Sequence, residues 1–351
     1  MITIFTPSFA DESDTNAQNL TVKEIVARIS PQEFHVTMLH EGVPDPRIAN
    51  RPNTRLIRCG NHGTTVRILW QLLRIIPDVY FFPRAGPLDA GFLALRRRLH
   101  LKTAVVTYIV SGGLYNPEAP PATMMRNVRE ADVVFANCNY LSELVQARLG
   151  VPAGVHYDGI DRRFFFPAAR VLEQRPLTVL FAGSLRPYKR VDLVMRQAAR
   201  WPEVNFRIIG KGEEEQNCRN LTAELNCSNV TFVGHLSSRE LGEEMRQADI
   251  FLLPSILEGH PQVLGQAAAC GLPAIAMNIY RPEFVIDGKT GFLAESDEDL
   301  SRSLDMLIKH PDLRISMGEA AAIHSEKFDW DEITAQWQEA FSGAVAKRRR
   351  R

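Results

Sequence analysis

Two short segments hold the side chains best suited to chemistry. In Phe181-Ala182-Gly183-Ser184-Leu185-Arg186-Pro187-Tyr188-Lys189-Arg190-Val191, an apolar strand pattern gives way to a glycine turn and three cations set ahead of a helical pattern. Cations in that place can neutralise a leaving anion, and the partial positive charge of a helix N-terminus adds to the effect. In Leu252-Leu253-Pro254-Ser255-Ile256-Leu257-Glu258-Gly259-His260-Pro261, a buried-strand pattern ends in a polar loop that holds one acid. A small-residue helix pattern follows from Gln262 to Cys270, with Gly271 to close it and Pro273 to bar its continuation. Glu258 therefore stands at a strand's carboxyl end beside a helix start, where open α/β sheets bind anionic ligands. Its carboxylate can accept two hydrogen bonds from a diol, or it can simply cap the helix. The three cations have a plainer alternative too, as solvated surface charges.

Other elements border these two. Ile208-Ile209-Gly210-Lys211-Gly212-Glu213 and Phe232-Val233-Gly234-His235 are both strand-end glycine turns. His235 reads as a cleft-wall residue, because no second ligand is spaced to join it on a metal. Gln262 and Gln266 are four residues apart and share one helix face, while Val263, Ala267 and Cys270 turn towards the sheet.

The positioning elements follow from periodicity. Short apolar runs alternate with helical patterns from end to end, which predicts parallel sheets covered by helices on both faces. The first-half strands are expected at 2–6, 35–39, 78–82, 103–109 and 132–136, with helices at 66–76, 93–99 and 141–149. Second-half strands are expected at 178–182, 205–209, 229–233, 249–253 and 273–276. The turn-forming Asp158-Gly159, the aromatics Phe164 to Phe166 and Pro167 mark a crossing between two Rossmann-like halves. This gives domains 1–163 and 164–351 facing a central cleft, which is where a ligand should bind. A terminal helix near 329–345 carries Trp330, Ile333, Trp337 and Phe341 at core-facing spacing.

Composition sets the outer bounds. A chain of 351 residues is long for one core, and 45% hydrophobic with 23% charged content is that of a globular protein. Formal net charge is zero, so no global field calls for nucleic acid. The local exception is the Lys347–Arg351 tail, which can rest peripherally on an anionic membrane surface or remain a solvated, disordered end. Five cysteines without metal-ligand spacing predict buried, reduced thiols. No basic-flanked leader and no apolar run of about 20 residues is present, which gives a cytoplasmic expectation.

The segment from Glu258 through Gln266 to Gly271-Leu272-Pro273 resembles the donor-site motif of family 4 glycosyltransferases of GT-B fold, in which two acids precede a small-residue helix and a Gly-x-Pro. Pro187-Tyr188-Lys189-Arg190-Val191-Asp192 is similar to the family's phosphate-binding element, and Gly159, Asp161, Phe166 and Pro167 match its connecting segment. Asp249 with Leu253-Pro254-Ser255, and Glu283 with Gly288 to Phe292, continue the match.

The resemblance implies a retaining transfer of sugar from a nucleotide sugar to a glycan, lipid-linked or small-molecule acceptor, with no metal or other cofactor, in polysaccharide or glycoconjugate synthesis. It implies that Lys189, Arg186, Arg190, Ser184 and the amides of Val263 and Leu264 hold the donor diphosphate. Glu258, Gly259, His260 and Gln266 would hold the donor sugar and ribose, and Gly210, Lys211, Val233, Gly234 and His235 the base. Glu258 and Lys189 carry the catalysis, the acceptor binds in the first domain, and closure about 158–167 excludes water.

Four departures stand. Gln266 replaces the second acid, Ser184 stands at the family's arginine, and Phe9-Ala10-Asp11-Glu12-Ser13-Asp14-Thr15-Asn16 replaces a glycine pair, with Asp14 or Asn16 as a helix cap. The run Val106 to Gly113 lacks the family's histidine, and its Gly112-Gly113 pair could let backbone approach the sugar. The missing histidine, Ser184 and Gln266 motivate a non-catalytic binding or scaffold relative; an epimerase shares the fold. A nicotinamide dehydrogenase lacks its Gly-x-Gly-x-x-Gly after the first strand.

Overall fold

The computed structural model describes residues 1–12, 17–60, 64–83, 86–110, 122–168 and 175–350. The expected caps Asp14 and Asn16, the Gly112-Gly113 pair and Arg351 lie outside them. Two compact units are present, Met1–Asp158 with Asp331–Arg351, and Gly159–Trp330. The sequence reading divides the chain five residues later and counts the terminal helix with the second half. Local bonding accounts for the difference. Asp158 accepts hydrogen bonds from Tyr108 (3.0 Å) and Asn137 (2.9 Å), both in the first unit, whereas the amide of Ile160 donates to Phe328 (2.8 Å) in the second. Burial raises the Asp158 carboxyl above the usual carboxylate range, and the two donors act against it.

In the first unit the elements are β1 (Ile2–Phe9), α1 (Ala17–Arg28), β2 (Phe34–His40), α2 (Pro46–Ala49), β3 (Thr54–Arg58), α3 (Thr64–Ile75), β4 (Val79–Phe81), α4 (Pro87–Arg98), β5 (Ala104–Ile109), α5 (Ala122–Glu130), β6 (Val133–Ala136), α6 (Asn139–Leu149) and β7 (Gly154–Val155). They form a seven-stranded parallel sheet of order β3-β2-β1-β4-β5-β6-β7. β5 (Ala-Val-Val-Thr-Tyr-Ile) is buried along its whole length, as helices on both faces require. β3 escapes periodicity because its sequence, Thr-Arg-Leu-Ile-Arg, holds only two apolar residues, side by side between arginines at the sheet's edge.

The second unit holds β8 (Thr178–Ala182), α7 (Val191–Arg200), β9 (Asn205–Ile209), α8 (Glu215–Glu224), β10 (Val230–Gly234), α9 (Ser238–Gln247), β11 (Ile250–Leu253), α10 (Gln262–Ala269), β12 (Ala274–Met277), β13 (Gly291–Ala294), α11 (Asp297–Lys309) and α12 (Pro311–His324). Its six parallel strands run β10-β9-β8-β11-β12-β13. From β8 the chain winds outward one way to β10, then returns to wind the other way from β11. The topological switch point therefore lies between β8 and β11, and open sheets of this kind bind ligands at the carboxyl ends of such a pair.

Aspartates just ahead of strands tie the amino ends of the sheets. Asp78 accepts from the Thr3 amide (3.0 Å), Asp132 from the Val105 amide (2.8 Å) and Asp249 from the Thr178 amide (2.8 Å). They pin the register where each strand enters and leave the carboxyl ends to the loops.

The last helix, α13 (Trp330–Arg350), carries the apolar stripe into the first unit. Ile333, Trp337 and Phe341 are fully buried. Trp337 meets Phe81 (5.1 Å), Tyr108 (4.9 Å) and Phe135 (5.5 Å) edge-on, one ring from each of β4, β5 and β6. The basic tail is neither a disordered end nor a bare cationic patch over its described length. It continues α13, with Lys347 donating to the Asp132 carbonyl (3.0 Å), Arg348 to the Leu101 carbonyl (3.2 Å) and Arg349 to Asp78 (2.9 Å).

Gly159 is not the turn glycine that the Asp-Gly pair predicts, since its φ is not positive. It is there for space: a Cβ would collide with the indole of Trp330.

Candidate functional site

Lys189 and Glu258 meet at the switch point of the second unit. Lys189 ends a 3₁₀ turn, Pro187–Lys189, in the loop after β8, and Glu258 lies in the loop after β11. β8 and β11 are hydrogen-bonded neighbours, so these loops are adjacent by topology. They are also tied directly, because the amide of Ile256 donates to the Tyr188 carbonyl (2.9 Å) and the hydroxyl of Ser255 to the same oxygen (3.3 Å). The Lys189 ammonium is ion-paired to the Glu258 carboxylate, with each side chain 11% exposed. The helix-cap alternative for Glu258 fails, because α10 has Pro261 at its N-cap and no side-chain cap bond.

The other expected phosphate ligands divide. Arg186 is exposed, and Ser184 is half-buried on the same loop. Arg190 is committed elsewhere: its guanidinium is bidentate on Asp297, one arm at 2.8 Å, and it holds that carboxyl below the usual range. The sequence separation of 107 positions hides this pairing from sequence reading. At the start of α10, the Leu264 amide already donates to the Pro261 carbonyl (2.9 Å). Val263 is half-buried rather than turned into the sheet, and with Gln262 and Gln266 it makes the more accessible side of the helix. The Gln266 amide oxygen is buried with no hydrogen-bond partner. A buried acceptor in that state is open to a ligand hydroxyl.

The glycine turns serve packing first. A Cβ on Gly210 would collide with the Gly183 carbonyl and one on Gly212 with the Leu185 carbonyl. Amides of Gly183 and Leu185 donate to Ile209 and Lys211 (both 3.0 Å), and that of Gly210 to Gly234 (2.8 Å). These bonds carry the β8-β9-β10 pairing past the strand ends, so Lys211, Val233, Gly234 and the exposed His235 share the sheet edge that bears Lys189. Gly291 similarly lies flat on the backbone of Ala274. Asp11, one of the acids in the first loop, is turned from solvent: its carboxylate accepts the amides of Glu41 (3.1 Å) and Gly42 (2.5 Å).

His260, expected among the sugar ligands, is instead packed. It is 5% exposed, with its ring 4.0 Å from that of Phe284 and 5.6 Å from that of Phe328. Burial, then the nearby Lys327, brings its pKa down to about 3. His156 in the first unit is lowered to about 4 by burial. For a base held neutral in the fold, the unfolded chain binds the extra proton, so this stability is complete above pH 6.5 and is lost as pH falls towards the folded value. Melting temperature is accordingly expected to fall steadily from pH 6.5 to 4.5, and less steeply in His260→Gln. Equal slopes in the two proteins would contradict the burial assignment.

Sequence reasoning passed over Tyr280, which follows β12. Its side chain is 2% exposed, and burial together with the Glu258 charge pushes the phenol well above its ordinary range, so it stays a neutral hydroxyl. Among the described residues, no three His, Cys, Asp or Glu side chains are grouped to hold a metal ion. No described helix is long and apolar enough to cross a membrane. All five cysteines are free thiols.

Two Rossmann-like parallel-sheet units, the second with a cation and a carboxylate at its switch point, make the GT-B fold. The family of glycosyl transferases group 1 matches residues 163–324, which lie within the second unit. The D-inositol 3-phosphate glycosyltransferase of Streptomyces scabiei is 32% identical over 251 residues, 64% of this chain and 56% of that protein. The chain spans little more than half the length of the first curated relatives it matches. Among solved structures, sucrose-phosphate synthase from Thermosynechococcus elongatus superposes with a TM-score of 0.82 at 17% identity, covering 99% of this chain and all of that one. Anabaena Alr3699/HepE, solved with UDP-glucose, gives 0.78 at 18% identity, covering 98% of this chain and 100% of that one.

Proposed function

We propose that this protein transfers a sugar from a nucleotide-sugar donor to an acceptor hydroxyl with retention of anomeric configuration, and without a resident metal. The observation that carries this is the meeting of Lys189 and Glu258 at the carboxyl edge of the switch point. The donor diphosphate enters against Lys189 and draws its ammonium away from Glu258. The freed carboxylate then accepts hydrogen bonds from the donor sugar's hydroxyls, which fixes the anomeric carbon.

As the bond from that carbon to the diphosphate oxygen breaks, negative charge grows on the diphosphate beside Lys189, Arg186 and the Val263 amide. The same charges stabilise the oxocarbenium character of the carbon. The acceptor hydroxyl attacks from the face the diphosphate leaves, and its proton passes to a diphosphate oxygen, so no side-chain base is needed. Gln266 takes the ribose as a neutral acceptor, and the 210–212 and 233–235 turns border the base. The acceptor, a glycan, a lipid-linked sugar or a small molecule, binds in the first unit. A cytoplasmic place in polysaccharide or glycoconjugate synthesis fits this chemistry.

The test is product analysis by mass spectrometry with UDP-, GDP- and ADP-sugars and a mixed acceptor panel. The expected result is one donor consumed with a glycoside formed. Donor isomerised without an acceptor would mean an epimerase, and binding without turnover a scaffold relative; either overturns the reading.

A further inference from the structure

The first unit holds a pocket of about 460 Å³ lined by Glu41, Arg58, Cys59, Gly60 and Arg67. It sits at the carboxyl ends of two parallel strands: Glu41 follows β2, Arg58 ends β3, and Arg67 lies in the first turns of α3. The walls are held in place. Asp11 fixes the backbone at Glu41, the Cys59 amide donates to His40 (2.7 Å), the Gly60 amide to Thr64 (3.1 Å), and Arg67 to the Arg58 carbonyl (2.6 Å). Among the described residues neither arginine is ion-paired with a carboxylate. Burial, and then the Glu41 charge, raises the Cys59 thiol, which leaves it protonated and no nucleophile.

We propose that this pocket binds the acceptor, and that the acceptor is a sugar or polyol bearing a phosphate or carboxylate. The inference rests on the acceptor lying in the first unit, as in the function proposed above. Two guanidinium groups without carboxylate partners, beside the N-terminal end of a twelve-residue helix, make a net cationic wall suited to an oxyanion. Glu41, the single acid among the described lining residues, can take hydroxyl donors from the rest of the molecule. The volume suits a monosaccharide-sized ligand, and the described lining residues offer no apolar side chain beyond Cys59.

The experiment titrates the full chain calorimetrically with inorganic phosphate, glucose 6-phosphate, glucuronate and glucose, and separately with UDP, GDP and ADP. An anionic probe is expected to bind saturably and glucose to bind no more than weakly. The double variant Arg58→Gln/Arg67→Gln should lose about tenfold or more in affinity. Both side chains are exposed, so its melting temperature should match wild type. Glu41→Gln should tighten inorganic phosphate. Failure of all three anionic probes, or binding that survives the double variant, overturns the inference. The nucleotide arm keeps the two proposals apart: no nucleotide binding in wild type, with anionic binding intact, sinks the donor reading alone.

Discussion

Lys189→Ala is expected to weaken binding of the nucleoside diphosphate to the level of its nucleoside, while Glu258→Gln is expected to keep the diphosphate binding and lose turnover. The two residues touch, yet their tasks differ in sign. Lys189 offers the charge that a diphosphate needs. Removing one preorganised donor from developing negative charge costs about 10²–10³ in rate, and loss of the ground-state contact adds to it. In the proposed function Glu258 repels a diphosphate and serves the sugar. The neutral amide introduced by Glu258→Gln keeps the shape and loses charge-assisted hydrogen bonds, each about 1.5–3 kcal/mol, so about 10²-fold or more in kcat follows.

Stability separates the variants further. Alanine in place of Lys189 leaves a mostly buried carboxylate without its partner, a loss of about 1–3 kcal/mol at a site that is partly open. Glutamine in place of Glu258 should cost less. A Glu258→Gln enzyme with full kcat, measured with saturating donor, would remove Glu258 from the chemistry.

Trp337→Ala is the largest expected loss of stability, about 3–5 kcal/mol by urea denaturation. Its side chain is wholly buried and sits among Phe81, Tyr108, Phe135, His156 and Phe341. Five rings around one indole leave a cavity that backbone elements of three strands cannot collapse to fill. Trp337 also anchors the helix that returns the chain from the second unit to the first. Trp337→Phe keeps most of the ring contacts and should lose roughly half as much. A loss below about 1 kcal/mol in Trp337→Ala would contradict the packing account.

Much of this fold is legible in the sequence because parallel sheets impose near-continuous apolar runs. Thr178–Ala182 and Asn205–Ile209 are strands at the residues the pattern predicts, and the Trp330 to Phe341 stripe is core. What escapes is what lacks such runs. β3 has only two apolar residues, between arginines, β7 is two residues long, and β13 opens on a glycine whose role is close backbone approach. Missing β3 also hides the Arg58 and Arg67 pocket, since only the strand's end places those residues together.

At the site, Lys189 and Glu258 stand out because charges follow apolar runs at strand ends, three cations after Thr178–Ala182 and one acid after Ile250–Leu253. Arg190 misleads, because its partner Asp297 arrives from another helix. His260 misleads because a histidine in a ligand loop and a histidine in an aromatic cluster have the same local sequence. The basic tail reads as free charge until Asp78 and the carbonyls of Asp132 and Leu101 appear beneath it.

The central claim is that the diphosphate of a nucleotide sugar docks on Lys189 beside Glu258. Calorimetric titration of wild type and Lys189→Ala with the preferred nucleoside diphosphate and with its nucleoside tests it most directly, at a temperature where both proteins are folded. Wild type should bind the diphosphate far more tightly than the nucleoside, and Lys189→Ala should bind the two alike. A variant that retains the full diphosphate preference would contradict the account.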